Sequence, residues 1–435
     1  MSIPARITAP IIFAFLCAAA LVAFLWWQLV QSTEVLRQAT VPEMQQVIAP
    51  QTGNALLDSP IDPRDRALFY LRQGDLLALR GQWADAQEEY EKAVDADGGL
   101  PALRKLAQAQ MQRRDISGVR STLRQLKKAG AKTEDLLLLE SIVALRTGEL
   151  LEARKLLVNA EESPQKQYGL ALLSIIEGNH EQAQLQLQEV IRGWEPVLRS
   201  HARAILSAYQ EFALFEESTN IHLTTLLARS LAQVQECELA LPLLVQVTQV
   251  KDDYRDAWII QGYCELTTER PEQALSSLEQ AYNLDPQKPE IQYFLARSYA
   301  ALGDHRSAVT FFEYALQNGF QPASEVRRQI AQSALADGNA DLALSQYEAL
   351  TKEHDTTLEP YQGYVAASVA LGRNEEAYFM ASEAVRRWPE NADAQYLLGW
   401  TAAESDKKEE AKTALRKALK INPYLLEAEE KLKKL

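Results

Sequence analysis

Residues 255–288 read RDAWIIQGYCELTTERPEQALSSLEQAYNLDPQK, and residues 392–425 read ADAQYLLGWTAAESDKKEEAKTALRKALKINPYL. Each stretch is 34 residues long, and the same residue types fall at the same places. A glycine (Gly262, Gly399) is followed twelve residues later by an alanine (Ala274, Ala411). A second alanine comes seven further on (Ala281, Ala418), then a proline after five more (Pro286, Pro423). Leu278 and Leu415 stand at the same point between the alanines, and Trp258 adds an early aromatic to the first copy. Apolar residues recur at three- and four-residue spacings, which marks amphipathic helices. Small residues suit a close crossing of two helices, and proline suits the end of the second. A helix pair of this size cannot bury its apolar face alone, so it needs neighbours of the same kind.

The frame finds those neighbours. Residues 67–100 carry Tyr70, Gly74, Gly81, Ala86, Tyr90 and Ala93. Residues 289–322 carry Ala296, Tyr299, Gly303, Ala308, Phe312 and Ala315; residues 324–357 carry Ala331, Gly338, Ala343 and Tyr347. Residues 358–391 carry Gly372, Ala377, Ala384 and Pro389. Weaker copies fall near 100–133, 134–163, 164–197 and 221–254, marked by Gly148 with Ala153, Gly178 with Ala183, and Ala228 with Ala240. The copy at 100–133 has Val119 where alanine is expected. The pattern resembles the tetratricopeptide repeat, a helix-turn-helix unit that stacks into a superhelix. That resemblance implies an all-α, right-handed superhelical solenoid of about ten repeats over roughly residues 67–425.

Four repeats are expected over 67–197 and six over 221–425, with a charged, amphipathic capping helix at 426–435. Between the two groups, residues 198–220 hold one helix more than the period requires, with Ala202, Ile205, Leu206, Tyr209 and Phe212 on one face.

The N-terminus is a different object. Ile7 to Val30 contains no charged residue, and residues 11–30 are long and apolar enough for a transmembrane signal anchor closed by Trp26 and Trp27. The span is longer than the apolar core of a cleaved signal peptide, and Phe15 and Leu16 before Cys17 do not suit a lipoprotein cleavage site. Residues 1–10, with Arg6 and no acid, read as a cytoplasmic tail. Residues 31–66 read as a helical stalk and linker broken by Pro42, Pro50, Pro60 and Pro63. The expected location is the inner (cytoplasmic) membrane, single-pass, with the repeats facing the periplasm or exterior. The alternative places the repeats in the cytoplasm.

The formal net charge of −14 argues against a nucleic-acid partner, which wants clustered Lys and Arg. No phosphate-cradling glycine loop, zinc-protease histidine pair or nucleophile elbow is present. The five histidines have no ligand spacing, and His180 and His305 read as solvated turn residues. The expectation is a protein with no catalytic residues, no cofactor and no metal.

What remains is binding to other proteins. In the resembled family the first helix of each pair lines the concave groove at its second, fifth, ninth and twelfth positions. Carried over, these positions give a C-terminal groove that presents Tyr263, Tyr293, Arg297, Arg328, Gln332, Tyr396 and Trp400. Tyr, Trp and Arg are the types that dominate binding hot spots, although groove positions also serve to pack adjacent helices. The Lys and Asn clamp by which cytosolic co-chaperones of that family hold a chaperone's C-terminal carboxylate is missing: Leu71, Asp75, Ile259 and Tyr263 stand at its positions. Cys237 and Cys264 fall where two antiparallel helices bring them near one another, as two buried thiols or as a disulfide. The reading is a membrane-tethered scaffold or assembly factor that takes an extended peptide or helix in its groove. The alternative is a fixed structural subunit of a larger membrane complex that uses its outer faces.

Overall fold

The computed structural model describes residues 63–214, 219–353, 357–422 and 425–435. The expected tail, membrane anchor and most of the linker, as well as Pro423, lie outside the described residues. Among the described residues no helix is long and apolar enough to cross a membrane. Contacts divide the chain after residue 66, and the account below concerns the unit Ala67–Leu435.

Twenty-two helices and no strand are present among the described residues. The first eight form four pairs: Pro63–Leu79 with Trp83–Asp95 (α1, α2), Gly99–Gln112 with Ile116–Lys128 (α3, α4), Thr133–Arg146 with Leu150–Asn159 (α5, α6), and Pro164–Ile176 with His180–Arg192 (α7, α8). A lone helix follows, Pro196–Phe212 (α9). Six more pairs come next. These are Asn220–Gln233 with Cys237–Val250 (α10, α11), Arg255–Thr267 with Pro271–Leu284 (α12, α13), and Pro289–Ala301 with His305–Gln317 (α14, α15). Ala323–Ala336 with Ala340–Lys352 (α16, α17), Glu359–Ala370 with Asn374–Arg387 (α18, α19), and Ala392–Glu404 with Lys408–Ile421 (α20, α21) complete the set. Leu426–Lys434 (α22) caps the end.

The repeat alanines do the work their spacing implies. Ala274, Ala281, Ala411 and Ala418 are fully buried. A Cβ on Gly262 would come within 2.4 Å of Leu278 Cγ, so only glycine allows α12 and α13 to cross this closely. Between the helices of a pair the chain reverses through a left-handed residue, as at Gly148 (φ 77°). There Glu149 N–H donates to Ala144 O at 2.8 Å, which satisfies an orphan carbonyl of α5.

Cores differ along the array. From unit seven onward, small apolar clusters sit between successive helices, such as Tyr293 with Phe312 and Ile330, or Leu415 with Ala418 and Ala428. In the middle, one continuous cluster runs from Ala144 to Cys264. Besides the contacts between successive helices that link this cluster, α11 also packs on α5 and α7, the first helices of units three and four.

Candidate functional site

Two concave regions lie along the first helices, and they have opposite character. In units five to seven, α10, α12 and α14 enclose a cavity of about 430 Å³, continuous in lining with a second of about 200 Å³. Leu226, Ile259, Ile260, Tyr263 and Phe294 form an apolar floor. These side chains fall there because first-helix positions one turn apart share a face. Phe294 meets the Tyr263 ring edge-on at 5.5 Å, which holds both rings in place. The rim is charged and internally paired. Arg229 pairs with Glu211 at the end of the lone helix α9, Lys288 with Glu290 (3.4 Å), and Tyr254 Oη lies 3.1 Å from His222 Nδ1. The lone helix therefore supplies a wall of this cavity. It also removes His180 from the solvated turn expected of it: His180 opens α8, and its Nδ1 lies 3.1 Å from Tyr209 Oη of α9.

In units two to four the concave region is already occupied. The turn between α10 and α11 sits on it. The Arg114 guanidinium donates to Gln235 O (2.7 Å) and pairs with Glu238; these two side chains are only 14% and 11% exposed. Arg146 lies 3.7 Å from Glu236 and donates to Met111 O (2.8 Å). Burial raises the Glu236 carboxyl above its ordinary value, against the pull of Arg146, and burial also raises Tyr168 well above the usual phenol range. Arg114 and Gln235 both occupy left-handed turn positions (φ 61° and 66°), where most units place glycine. A side chain there costs about 1–2 kcal/mol of backbone preference, and the Arg114 contacts offset it.

The sequence-selected groove residues are distributed unevenly. Tyr263 lines the second cavity, and its hydroxyl accepts from Gln235 Nε2 (3.2 Å). Tyr293 is packed rather than open: it is 7% exposed, stacked on Phe320 at 4.2 Å, with its hydroxyl on Glu325 (3.3 Å). The ring is worth more in the core between units seven and eight than in water. Arg297 is exposed beside the Tyr293 hydroxyl, and Gln332 is exposed. Arg328 is half-buried and bridges Glu325 and Glu359, both at 2.8 Å, so it ties α16 to α18 and is not a free arginine. Tyr396 and Trp400 lie against the cap: Lys431 of α22 stands 5.0 Å above the Trp400 ring, and Glu404 accepts from Trp400 Nε1 (3.1 Å). Cys237 and Cys264 are brought together, with Sγ atoms 2.7 Å apart.

Leu226, Ile260 and Phe294 were missed because the carried-over groove positions skip them; Arg114 was missed although an arginine at a glycine turn position is itself a signal. No group of His, Cys, Asp and Glu among the described residues is arranged to hold a metal ion.

Models of the tetratricopeptide repeat match residues 225–289, 265–333 and 392–424. The peroxisomal targeting signal receptor of Candida albicans is 26% identical over 208 residues, 45% of this chain and 34% of the receptor, so the chain spans about a third of that relative's length. Among solved structures, YrrB, described as a TPR protein with an unusual peptide-binding site, is 21% identical (44% of this chain, 98% of that one, TM-score 0.40). PilW, described as a widely conserved type IV pilus biogenesis factor, is 15% identical (50% and 99%, TM-score 0.40). A tetratricopeptide repeat protein from Parabacteroides merdae is 17% identical (62% and 97%, TM-score 0.35).

Proposed function

We propose that this chain, which carries tetratricopeptide repeats at residues 225–333 and 392–424, is a non-catalytic interaction scaffold that holds a segment of another protein in the groove of units five to seven. The observation that carries this reading is the open apolar floor of Leu226, Ile259, Ile260, Tyr263 and Phe294. An aromatic or branched aliphatic side chain fits such a floor, and its burial supplies the affinity. The rim charges are satisfied within the protein, so they discriminate against misplaced charge more than they attract. A short helix or an extended strand presents such an anchor equally well. A relative named as a targeting signal receptor is in keeping with capture of a segment of another protein.

The uncharged run from Ile7 to Val30 supports a tether to the inner membrane, with the repeats on the periplasmic or outer side. A cytoplasm-only reporter joined after Leu435 should then be inactive, and its activity would place the repeats in the cytoplasm.

A photo-crosslinking residue at position 259 tests the groove. Adducts to a partner protein are expected there and not at Leu185, an exposed position on the second helix of unit four. Adducts from position 185 alone would overturn the groove reading and favour a structural subunit that uses its outer faces.

A further inference from the structure

Cys237 is the first residue of α11, and Cys264 lies late in α12, the first helix of unit six. Both residues are fully buried, and the Cys264 thiol donates to Cys237 Sγ across 2.7 Å. The antiparallel packing of α11 on α12 produces this meeting, because it sets the start of one helix beside the end of the other. The surroundings of the pair are charged. Arg114 of unit two reaches over the turn, and Glu238, next in sequence to Cys237, is its partner.

We propose that Cys237 and Cys264 are a redox-modification site, an intrachain disulfide that staples unit five to unit six behind the turn seated on units two to four. The inference stands apart from the groove reading, since neither sulfur lines the groove. The two thiols are chemically unlike. The hydrogen bond from Cys264 and the Arg114 guanidinium hold the Cys237 thiol below its ordinary range, while burial pushes Cys264 far above it. A thiol eased toward ionisation beside one that holds its proton is suited to stepwise exchange.

The oxidant is a disulfide, either a small-molecule one such as oxidised glutathione or that of a thiol oxidoreductase. Cys237 thiolate attacks one oxidant sulfur, forms a mixed disulfide and expels the first thiolate. Cys264 then gives up its proton and attacks Cys237 Sγ, which expels the second. Two protein thiols become one disulfide, and the oxidant disulfide becomes two thiols; two electrons pass to the oxidant. Both sulfurs are buried, so an oxidant reaches Cys237 only when the packing of α11 on α12 opens, as it does on unfolding. The bond closes a loop between residues 27 apart, which restricts the unfolded chain and raises the melting temperature.

The test uses the full chain with Cys17→Ser, which leaves two of the three cysteines. The protein is unfolded and refolded across a series of reduced-to-oxidised glutathione ratios, then quenched with a maleimide under denaturing conditions. At the oxidising end no maleimide adducts are expected, with an intact mass lower by two hydrogens; at the reducing end, two adducts. Adding Cys237→Ala or Cys264→Ala should prevent that mass loss, which assigns the bond to this pair. The oxidised protein should melt several degrees above the reduced one. Two free thiols at every ratio, a stable glutathione adduct on either sulfur, or equal melting temperatures would each overturn the proposal.

Discussion

The concave regions of units two to four and of units five to seven are built from the same kind of helix, yet one is filled and the other open. In the first, the turn between α10 and α11 is seated by Arg114 and Arg146, and its residues join the continuous core from Ala144 to Cys264. In the second, Ile259, Ile260 and Phe294 face a cavity. The difference teaches that a repeat array can use one stretch of its concave surface on itself and leave another for a partner. The lone helix α9 stands between the pairs that differ, packing on both α8 and α10.

The largest effect should separate two adjacent residues of α14. Tyr293 is core and Phe294 faces the cavity, so Tyr293→Ala should cost about 3–5 kcal/mol of stability. Urea unfolding checks this, and a loss under about 1 kcal/mol would return Tyr293 to the groove surface.

Next comes the seated turn. Arg114→Ala leaves the nearly buried Glu238 carboxylate without its counter-charge and should cost about 3 kcal/mol. Joint replacement by Arg114→Met and Glu238→Leu should recover most of that loss, because no buried charge is then left unpaired. An Arg114→Ala protein as stable as the parent would mean that the concave region of units two to four is not held closed by this pair.

On the open side, Ile259→Ala should weaken partner binding by about 2 kcal/mol, the size of a hot-spot truncation, and cost less stability than Tyr293→Ala because Ile259 is only half-buried against the core of unit six. Titration of the crosslinked partner by calorimetry reads the first quantity and circular dichroism the second. Equal affinity for parent and variant would move the partner off this floor.

The smallest effect is the pH dependence of the seated turn. Glu236 is raised above its ordinary 4.5 by desolvation, so its contribution to stability is fully present below that pH and is lost as pH rises through the folded value. Glu236→Gln does not titrate. The stability of the parent relative to Glu236→Gln should therefore fall as pH is raised from 4 to 7, with the pairing to Arg146 limiting the loss. Urea midpoints for both proteins across that range give the slope, and a parent that gains on the variant with pH would show that the pairing with Arg146 outweighs burial.

The periodicity made the all-helical repeat fold legible, since each helix follows from local spacing of small and apolar residues. The candidate site was legible only in part. Tyr263, Arg297 and Gln332 are at or near the surface, whereas Tyr293 and Arg328 are drawn into contacts with α16 and α18. A repeat position states which helix face a residue occupies, and not how closely the next unit covers that face.

By itself, then, the sequence determined the repeating unit, because a Gly262–Leu278 crossing and buried alanines such as Ala274 are short-range demands of helix packing. The tertiary structure alone decided which concave region is free. That choice depends on α11 meeting α5 and α7 and on Arg114 reaching Gln235 and Glu238, contacts between residues about a hundred apart. No local pattern encodes such a meeting; it arises only when the helices between them have stacked.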